Sequence, residues 1–329
     1  MNPDVVSAVG RLRSAGILSD RQAVFFDRVA RRRLVSIRFE IRALLYVGVL
    51  LLTSGVGVLV AEHHREIGPI AIASGIGLAT AACFAWVIRQ AVPFSWGAVE
   101  PPNVGFDYVL LLAVVLLAAE LAYAEVEFTV LGPRWTYHLL VVALVYLAVA
   151  YRWDSRTVLA LALSTLAAWR GISISLLPGG SWTDDAPLRA NAIVLGTLYV
   201  GAAAFSVRRR LKAHFEDVFA NAGLLLILGA LVSGALAKEV ARPAWLLALL
   251  IVAGLVMWLS LRLGRSLHFA EAVVGAYIGL VRLLFETFSQ GSGESSVAFL
   301  LAALLGAGVL VLISVAYRRI RSQEDARER

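Results

Sequence analysis

The sequence has a single cysteine, Cys83, among its 329 residues, which excludes an internal disulfide and a cysteine metal cluster. It is also poor in charge, because charged residues make up 16% of the chain and hydrophobic residues 60%. That balance lies outside the range of soluble globular domains. Composition therefore predicts a membrane protein, and Cys83, which lies inside an apolar run, is interpreted as a packing residue.

The chain also lacks the common catalytic motifs. It contains no P-loop, no Gly-x-Ser-x-Gly elbow, no His-Glu-x-x-His zinc motif and no glycine-rich dinucleotide signature, and we predict no cofactor. His63 and His64 are adjacent, but neighbouring side chains on a helix point about 100° apart, and no nearby Cys or Asp completes a metal site. Asp184 and Asp185 lie in the polar turn PGGSWTDDAP. Paired carboxylates suit a metal in a lipid-linked transferase, so an enzyme remains a weaker alternative to a plain surface turn.

What the sequence does have is a series of long apolar runs. A hydrocarbon core about 30 Å thick needs about 20 apolar residues in a helix. By this measure we predict an all-α fold, a polytopic transmembrane helical bundle of about ten spans. The predicted spans are residues 43–62, 67–88, 106–124, 136–151, 156–177, 189–207, 218–237, 243–261, 267–288 and 296–317.

The bundle is predicted to carry a charged segment at each end. The predicted domains are a cytoplasmic basic amphipathic helical segment at 1–42, the transmembrane bundle at 43–317 and a cytoplasmic charged tail at 318–329. Residues 1–42 have the signals of a helical hairpin, because Gly16 can end a first helix and Ser19 with Gln22 forms a capping box for a second. This basic second helix either sets orientation only, lies on an anionic leaflet, or docks a partner.

The distribution of basic residues predicts the orientation. The net charge of +7 is concentrated at the ends of apolar runs, as in membrane proteins, and not in a patch typical of nucleic-acid binding. With a cytoplasmic N-terminus, the loops YRWDSR, RRRLKAHFED and RLGRSLH all face inward, whereas RQAVPFSWGAVEPPNVG fits less well because Arg89 is its only basic residue. The preference for arginine over lysine is typical of GC-rich bacteria. We predict a multi-pass protein of the bacterial inner membrane with both termini cytoplasmic.

The N-terminal quarter resembles a known family. The stretch LRSAGILSDRQAVFFDRVARRR, followed by the glycine-containing LLYVGVLLLTSGVGVLVAEHHREIGPIAIASG, is similar to the bacterial DUF2157 family of predicted membrane proteins. The matching residues are Leu12, Gly16, Ile17, Leu18, Ser19, Gln22, Gly48, Gly55 and Gly57. The resemblance covers roughly residues 10–90 and implies a multi-pass inner-membrane protein of no established activity.

Residues 268–286, HFAEAVVGAYIGLVRLLFE, carry several charges within an apolar run. At about 100° per residue, the polar and small side chains share an arc of roughly 80°. These stripe residues are His268, Glu271, Gly275, Gly279, Arg282 and Glu286. The GxxxG spacing of Gly275 and Gly279 permits close helix packing, and the charges suggest a polar pathway. We expect this helix to be central in either case.

Two other predicted spans carry charges at a similar depth, Glu120 in the third and Arg170 in the fifth. The candidate binding residues are therefore Glu120, Arg170, Glu271, Gly275, Gly279, Arg282 and Glu286. Together the charged members could form a site for a charged or zwitterionic solute. The alternative is structural pairing, in which Arg282 binds Glu286 at the i, i+4 spacing and Glu271 contacts His268 or Arg265.

Three functional hypotheses follow. The leading one is solute transport or permeation along the polar stripe, and the second is a structural or regulatory membrane protein that engages lipid or a partner through its basic N-terminal helix. An enzyme acting on lipid-linked substrates is the third. The expected partners are the lipid bilayer, a small polar or charged solute and a second copy of the chain, and nucleic acid is not expected.

Overall fold

The computed structural model describes residues 68–103, 105–175, 185–237 and 241–288, together with scattered residues between 12 and 62 and between 301 and 315. The chain divides into two units, Met1–Ile67 and Gly68–Arg329. In the first unit, the described residues between 44 and 62 are helical and exposed. The hairpin predicted within 1–42, the pair His63 and His64, and the tail at 318–329 lie outside the described residues.

The second unit is helical, and no strand occurs among its described residues. Its helices are α1 (Pro69–Gln90), α2 (Phe106–Phe128), α3 (Tyr137–Trp153), α4 (Arg156–Ser175), α5 (Asp185–Arg209), α6 (Glu216–Leu236), α7 (Arg242–Leu263) and α8 (Ser266–Phe288). Each overlaps one of the predicted spans, because a long apolar run without a breaker satisfies its backbone polar groups best as a helix. The all-α prediction is confirmed.

Six helices are long and apolar enough to cross a membrane: α1, α2, α5, α6, α7 and α8. Helix α3 is apolar but shorter, with 17 residues. The structure thus supports six membrane-spanning helices within the described residues, and the count of ten remains a prediction. The described residues between 301 and 315 are helical, and the Tyr277 hydroxyl of α8 donates to the Ala302 carbonyl oxygen at 3.2 Å.

The helices pack as successive antiparallel pairs, α1 with α2, α3 with α4, α5 with α6, and α7 with α8. Helix α6 also contacts α4, α7 and α8, so it holds the central position, whereas α8 packs mainly against α6 and α7. Among the described helices, α6 therefore has more neighbours than α8, and the central position of residues 267–288 remains a prediction. Helix α6 presents small residues and leucines to several neighbours, and its own Leu228 and Leu231 share a buried core with Leu249 of α7.

Glycine permits the closest of these contacts. A Cβ atom placed on Gly196 of α5 would lie 2.7 Å from the Gly223 carbonyl oxygen of α6, and one on Gly223 would lie 2.6 Å from the Gly196 carbonyl oxygen. On α6, a Cβ on Gly234 would lie 2.5 Å from the Trp245 ring of α7. The α5–α6 and α6–α7 contacts therefore require glycine, because any side chain would push the helices apart.

Polar contacts bring several connections together at one end of the bundle. The Val99 amide and the side chain of Lys212 both contact Asp154, and Arg265 pairs with Glu216. These contacts join the loop 91–105, the α3–α4 turn, the α5–α6 connection and the α7–α8 turn. We call this the Asp154 end of the bundle.

Candidate functional site

The two glycines of the predicted stripe face other helices. A Cβ on Gly279 would lie 2.9 Å from Leu249 Cδ2 and 3.1 Å from Leu246 Cδ1, both on α7. A Cβ on Gly275 would lie 3.7 Å from Leu249 and 3.8 Å from Leu228 of α6. The GxxxG face of α8 is therefore filled by leucine side chains, as expected for helix packing.

The charges at the C-terminal end of the stripe make different contacts. Glu286 pairs with Arg242 at the start of α7, so the ion pair predicted between Arg282 and Glu286 is replaced by one between helices. The Nε atom of Arg282 is buried without a hydrogen-bond partner in the described part of the chain. Glu286 can reach Arg242 because α7 and α8 pack antiparallel, so the start of α7 lies beside the end of α8.

At the N-terminal end of the stripe, His268 is buried, and the Glu271 Oε2 atom is buried without a hydrogen-bond partner in the described segments. Arg265, which we considered as a partner of Glu271, instead pairs with Glu216 and, at 3.3 Å, with Asp217. Both of these acids lie in the first turn of α6. Acids are favourable there because of the helix dipole, and the pairs fasten the α7–α8 turn to α6.

Glu120 and Arg170 lie in different helix pairs. Glu120 of α2 faces Gly77 of α1, where an added Cβ would lie 3.7 Å from Glu120 Oε1. Arg170 of α4 donates from Nε to Asn191 Oδ1 of α5 at 3.1 Å, and its guanidinium lies over the Trp169 ring. Within the described part of the chain, the contacts of these two residues do not join them to each other or to Arg282.

A groove of about 680 Å³ lies between α3, α4 and α5. Its walls are apolar, with Leu147, Leu166 and Leu198 among the lining residues. The Tyr199 hydroxyl in this groove donates to the Leu163 carbonyl oxygen at 2.8 Å, so its polar atom is satisfied internally. This groove suits hydrocarbon and offers little to a polar solute.

The densest polar arrangement among the described residues is one that the sequence analysis missed. Asp154 lies at the C-terminus of α3 in the left-handed conformation, with φ of 60°. Its Oδ1 lies 3.0 Å from Lys212 Nζ and 2.5 Å from His214 Nε2, and its Oδ2 accepts the Val99 amide at 2.5 Å. We call these four residues the Asp154 cluster.

The cluster is buried, since the side chains of Lys212 and Asp154 are 1% and 4% exposed. Lys212 is held from several directions: its amide donates to the Trp96 carbonyl oxygen at 3.0 Å, and its Nζ lies 3.4 Å from the Gly97 carbonyl oxygen. The ammonium also lies 5.4 Å from the centre of the Phe94 ring. The buried charge of each partner is thus compensated by a partner of opposite sign or by a hydrogen bond.

A signal for this cluster exists in the sequence. A carboxylate at a helix C-terminus is unfavourable because of the helix dipole, so Asp154 needs a cation nearby. Lys212 is the lysine that follows three consecutive arginines in RRRLKAHFED, and we treated that loop only as an orientation signal. Which loop supplies the cation depends on the tertiary fold.

The Asp154 cluster connects loops of the protein to each other and does not form an open ligand site. The Asp154 oxygens are taken up by three donors, which fasten the loop 91–105 and the α5–α6 connection to the end of α3. Within the described residues, no group of three His, Cys, Asp or Glu side chains could hold a metal ion. Asp184 lies outside the described residues, and the helix α5 begins at Asp185.

This fold consists of long apolar antiparallel helices whose loops are joined by the Asp154 cluster. It defines a helical integral membrane protein. Residues 10–159 match the family model DUF2157, described as "Predicted membrane protein". The match confirms the resemblance and extends it through α1, α2 and α3 into the start of α4. Neither the curated proteins nor the solved structures contain a match to this chain.

Proposed function

We propose that this protein is a structural or regulatory component of the bacterial inner membrane, in which α8 packs against its neighbours and does not line a solute pathway. The observation that carries this proposal is the seating of Gly279 against Leu249 and Leu246. A pathway needs space and polar partners along the stripe, whereas a Cβ atom added to either glycine would meet leucine side chains at van der Waals distance or closer.

The proposal also assigns the Asp154 end to the cytoplasm. Exposed arginines are concentrated there: Arg152, Arg156, Arg208, Arg209, Arg210 and Arg262. The opposite end is mixed in charge, with Glu125 and Glu127 beside Arg134. The excess of arginine in short loops marks the cytoplasmic side in membrane proteins.

Solute permeation, our leading hypothesis from sequence, is the second candidate, and one observation favours it. Buried polar atoms without a hydrogen-bond partner in the described residues include Glu120 Oε2, Glu271 Oε2 and Arg282 Nε. Ionisable groups within spans are costly and commonly serve ion or substrate movement. Glu271 Oε2 and Arg282 Nε would find partners in water or in a solute if a pathway opened beside α8.

Cysteine accessibility separates the two candidates. In a Cys83→Ala background, Arg282→Cys is placed on the stripe and the protein is reconstituted into lipid nanodiscs, which expose both membrane faces to a membrane-impermeant thiol reagent. Ser95→Cys, on an exposed loop, is the positive control, and Leu283→Cys, which is 41% exposed on the apolar surface, is the lipid-facing control. Each variant is first checked for folding by its elution and thermal unfolding.

We expect rapid labelling at position 95 and protection at positions 282 and 283. Labelling at 282 that approaches the rate at 95 would contradict the structural role and favour permeation. The regulatory part of the proposal assigns lipid or partner binding to the basic segment 1–42. It predicts that deletion of these residues abolishes function while insertion of the bundle is retained.

A further inference from the structure

The arginines at the Asp154 end differ in their use within the protein. Arg265 is paired with Glu216 and Asp217, and it is therefore used within the protein. By contrast, among the described residues Arg208, Arg209, Arg210 and Arg262 are exposed and make no ion pair with a carboxylate. Each guanidinium has five N–H donors, so these four arginines have many donors free for an external anion.

Two of these arginines are held in the same way at the ends of two helices. Arg209 lies in the last turn of α5, and its guanidinium is 5.9 Å from the centre of the Phe205 ring. Arg262 lies in the last turn of α7, and its guanidinium is 3.9 Å from the centre of the Trp258 ring. Arginine and ring are four positions apart in both cases, so they share one helix face.

Both rings lie on the outer surface of the bundle. Phe205 is 54% exposed and Trp258 is 49% exposed, although each is a large apolar group in a helix long enough to span a membrane. Tryptophan rings at a helix end sit at the level of lipid headgroups, and Phe205 lies at the same end of the bundle as Trp258. The arginine on each ring is therefore held at the height of the phosphate layer, and the ring limits the side-chain entropy that binding would cost.

We infer that Arg208, Arg209, Arg210 and Arg262 form a binding surface for anionic phospholipid headgroups, with Arg209 and Arg262 as the ordered contacts. Guanidinium groups bind phosphate oxygens in a bidentate manner, and the anionic cytoplasmic leaflet supplies those phosphates at the end of the bundle that we assign to the cytoplasm. The inference rests on the proposed function for this orientation. It names anionic lipid as the partner of that end.

The test uses the full chain, purified in a neutral detergent and titrated with phosphatidylglycerol or phosphatidylcholine in mixed micelles. Binding is followed as the rise in the midpoint of thermal unfolding, and the half-saturating lipid fraction is the readout. We expect phosphatidylglycerol to raise the midpoint and phosphatidylcholine to have little effect. The double variant Arg209→Ala/Arg262→Ala should raise the half-saturating fraction of phosphatidylglycerol about thirty-fold.

The matched control is Arg134→Ala, because Arg134 is also exposed but lies at the opposite end of the bundle. Its half-saturating fraction should stay at the value of the unaltered protein. The variant Arg209→Lys/Arg262→Lys keeps the charge but loses the bidentate geometry, and it should recover only part of the binding. If the double alanine variant does not fold, the two single alanine variants carry the comparison, each with about a fivefold loss.

Several results would overturn the inference. Equal effects of the two lipids would remove the preference for anionic headgroups, and an equal loss in Arg134→Ala would remove the assigned location. An equal midpoint shift with inorganic phosphate alone would identify a free anion as the ligand in place of lipid. Labelling of Arg282→Cys in the nanodisc experiment would instead overturn the proposed function and leave this binding result unchanged, so the two failures are distinguishable.

Discussion

Lys212 Nζ lies 3.0 Å from Asp154 Oδ1, and the two residues belong to connections that are far apart in the chain. Both side chains are almost completely buried, and the same carboxylate also holds the Val99 amide. The Asp154 carboxylate therefore fixes the ends of three helical hairpins relative to each other, two through the ion pair and the third through the Val99 amide. Because it lies at the end of the bundle, it links the apolar helices to the loops that follow them.

Replacing Lys212 by methionine should lower the stability of the protein by about 3 kcal/mol, because it leaves the Asp154 carboxylate buried without its ammonium partner. The measurement is the shift of thermal unfolding in detergent. Arg208→Met is the control, since Arg208 is close in sequence but exposed, and it should change stability little. The double variant Lys212→Met/Asp154→Asn should lose less than the sum of the single variants, and strict additivity would contradict a coupled pair.

Gly223→Ala should destabilise the contact between α5 and α6. The new methyl group would lie 2.6 Å from the Gly196 carbonyl oxygen, and a backbone atom cannot move aside as a side chain can. We expect a loss of about 2 kcal/mol in thermal unfolding, within the range for overpacking. Gly229→Ala on the same helix has open space around the new methyl group, so it should be neutral or stabilising by up to about 1 kcal/mol. Equal effects of the two changes would contradict the close approach at Gly223.

Much of the helical content could be predicted from the sequence, because the length of an apolar run is enough to define a spanning helix. Helices overlap every predicted span between 67 and 288. The central position of α6 could not be predicted in the same way. Its apolar residues surround the helix, so the sequence does not show which faces will pack, and the roles of Gly223 and Gly234 depend on neighbours that only the fold supplies.

In the candidate site, too, the local features could be predicted from the sequence, whereas the contacts between helices could not. The helical period correctly places Gly275 and Gly279 on one face, since both contact Leu249. The partners of the charges differ from the local expectation: Glu286 pairs with Arg242 and Arg265 pairs with Glu216. In each case the partner comes from another helix, where sequence spacing carries no information.

The two glycines of the GxxxG motif should differ in their tolerance of alanine. A methyl group on Gly279 would lie 2.9 Å from Leu249 Cδ2, whereas one on Gly275 would meet Leu249 at 3.7 Å, an ordinary contact. We therefore expect Gly279→Ala to lower the unfolding midpoint and Gly275→Ala to leave it unchanged or slightly higher. Gly254→Ala, which has open space on α7, reports the effect of alanine on helix propensity alone. Equal effects at positions 275 and 279 would mean that the leucine methyl groups of α7 move aside, so that the contact between α7 and α8 would not require glycine at position 279.

The orientation of α2 can be tested with two cysteines that flank it. Its 23 residues span about 35 Å at 1.5 Å per residue, more than the hydrocarbon thickness of about 30 Å. Ser95 lies before the helix and Val130 after it, and both are exposed. In a Cys83→Ala background, an impermeant maleimide should label Val130→Cys in intact spheroplasts and Ser95→Cys only after permeabilisation.

Labelling of both positions from the same side would mean that α2 does not cross the membrane. The reverse pattern would preserve the crossing but place the Asp154 end outside the cell. The unpaired arginines would then face away from the negatively charged cytoplasmic leaflet, and the physical basis for anionic lipid binding at that end would be lost. The expected pattern would instead place Arg209 and Arg262 at the leaflet whose phosphates match their free donors. The topology experiment therefore decides whether the lipid titration should be interpreted as a cytoplasmic interaction.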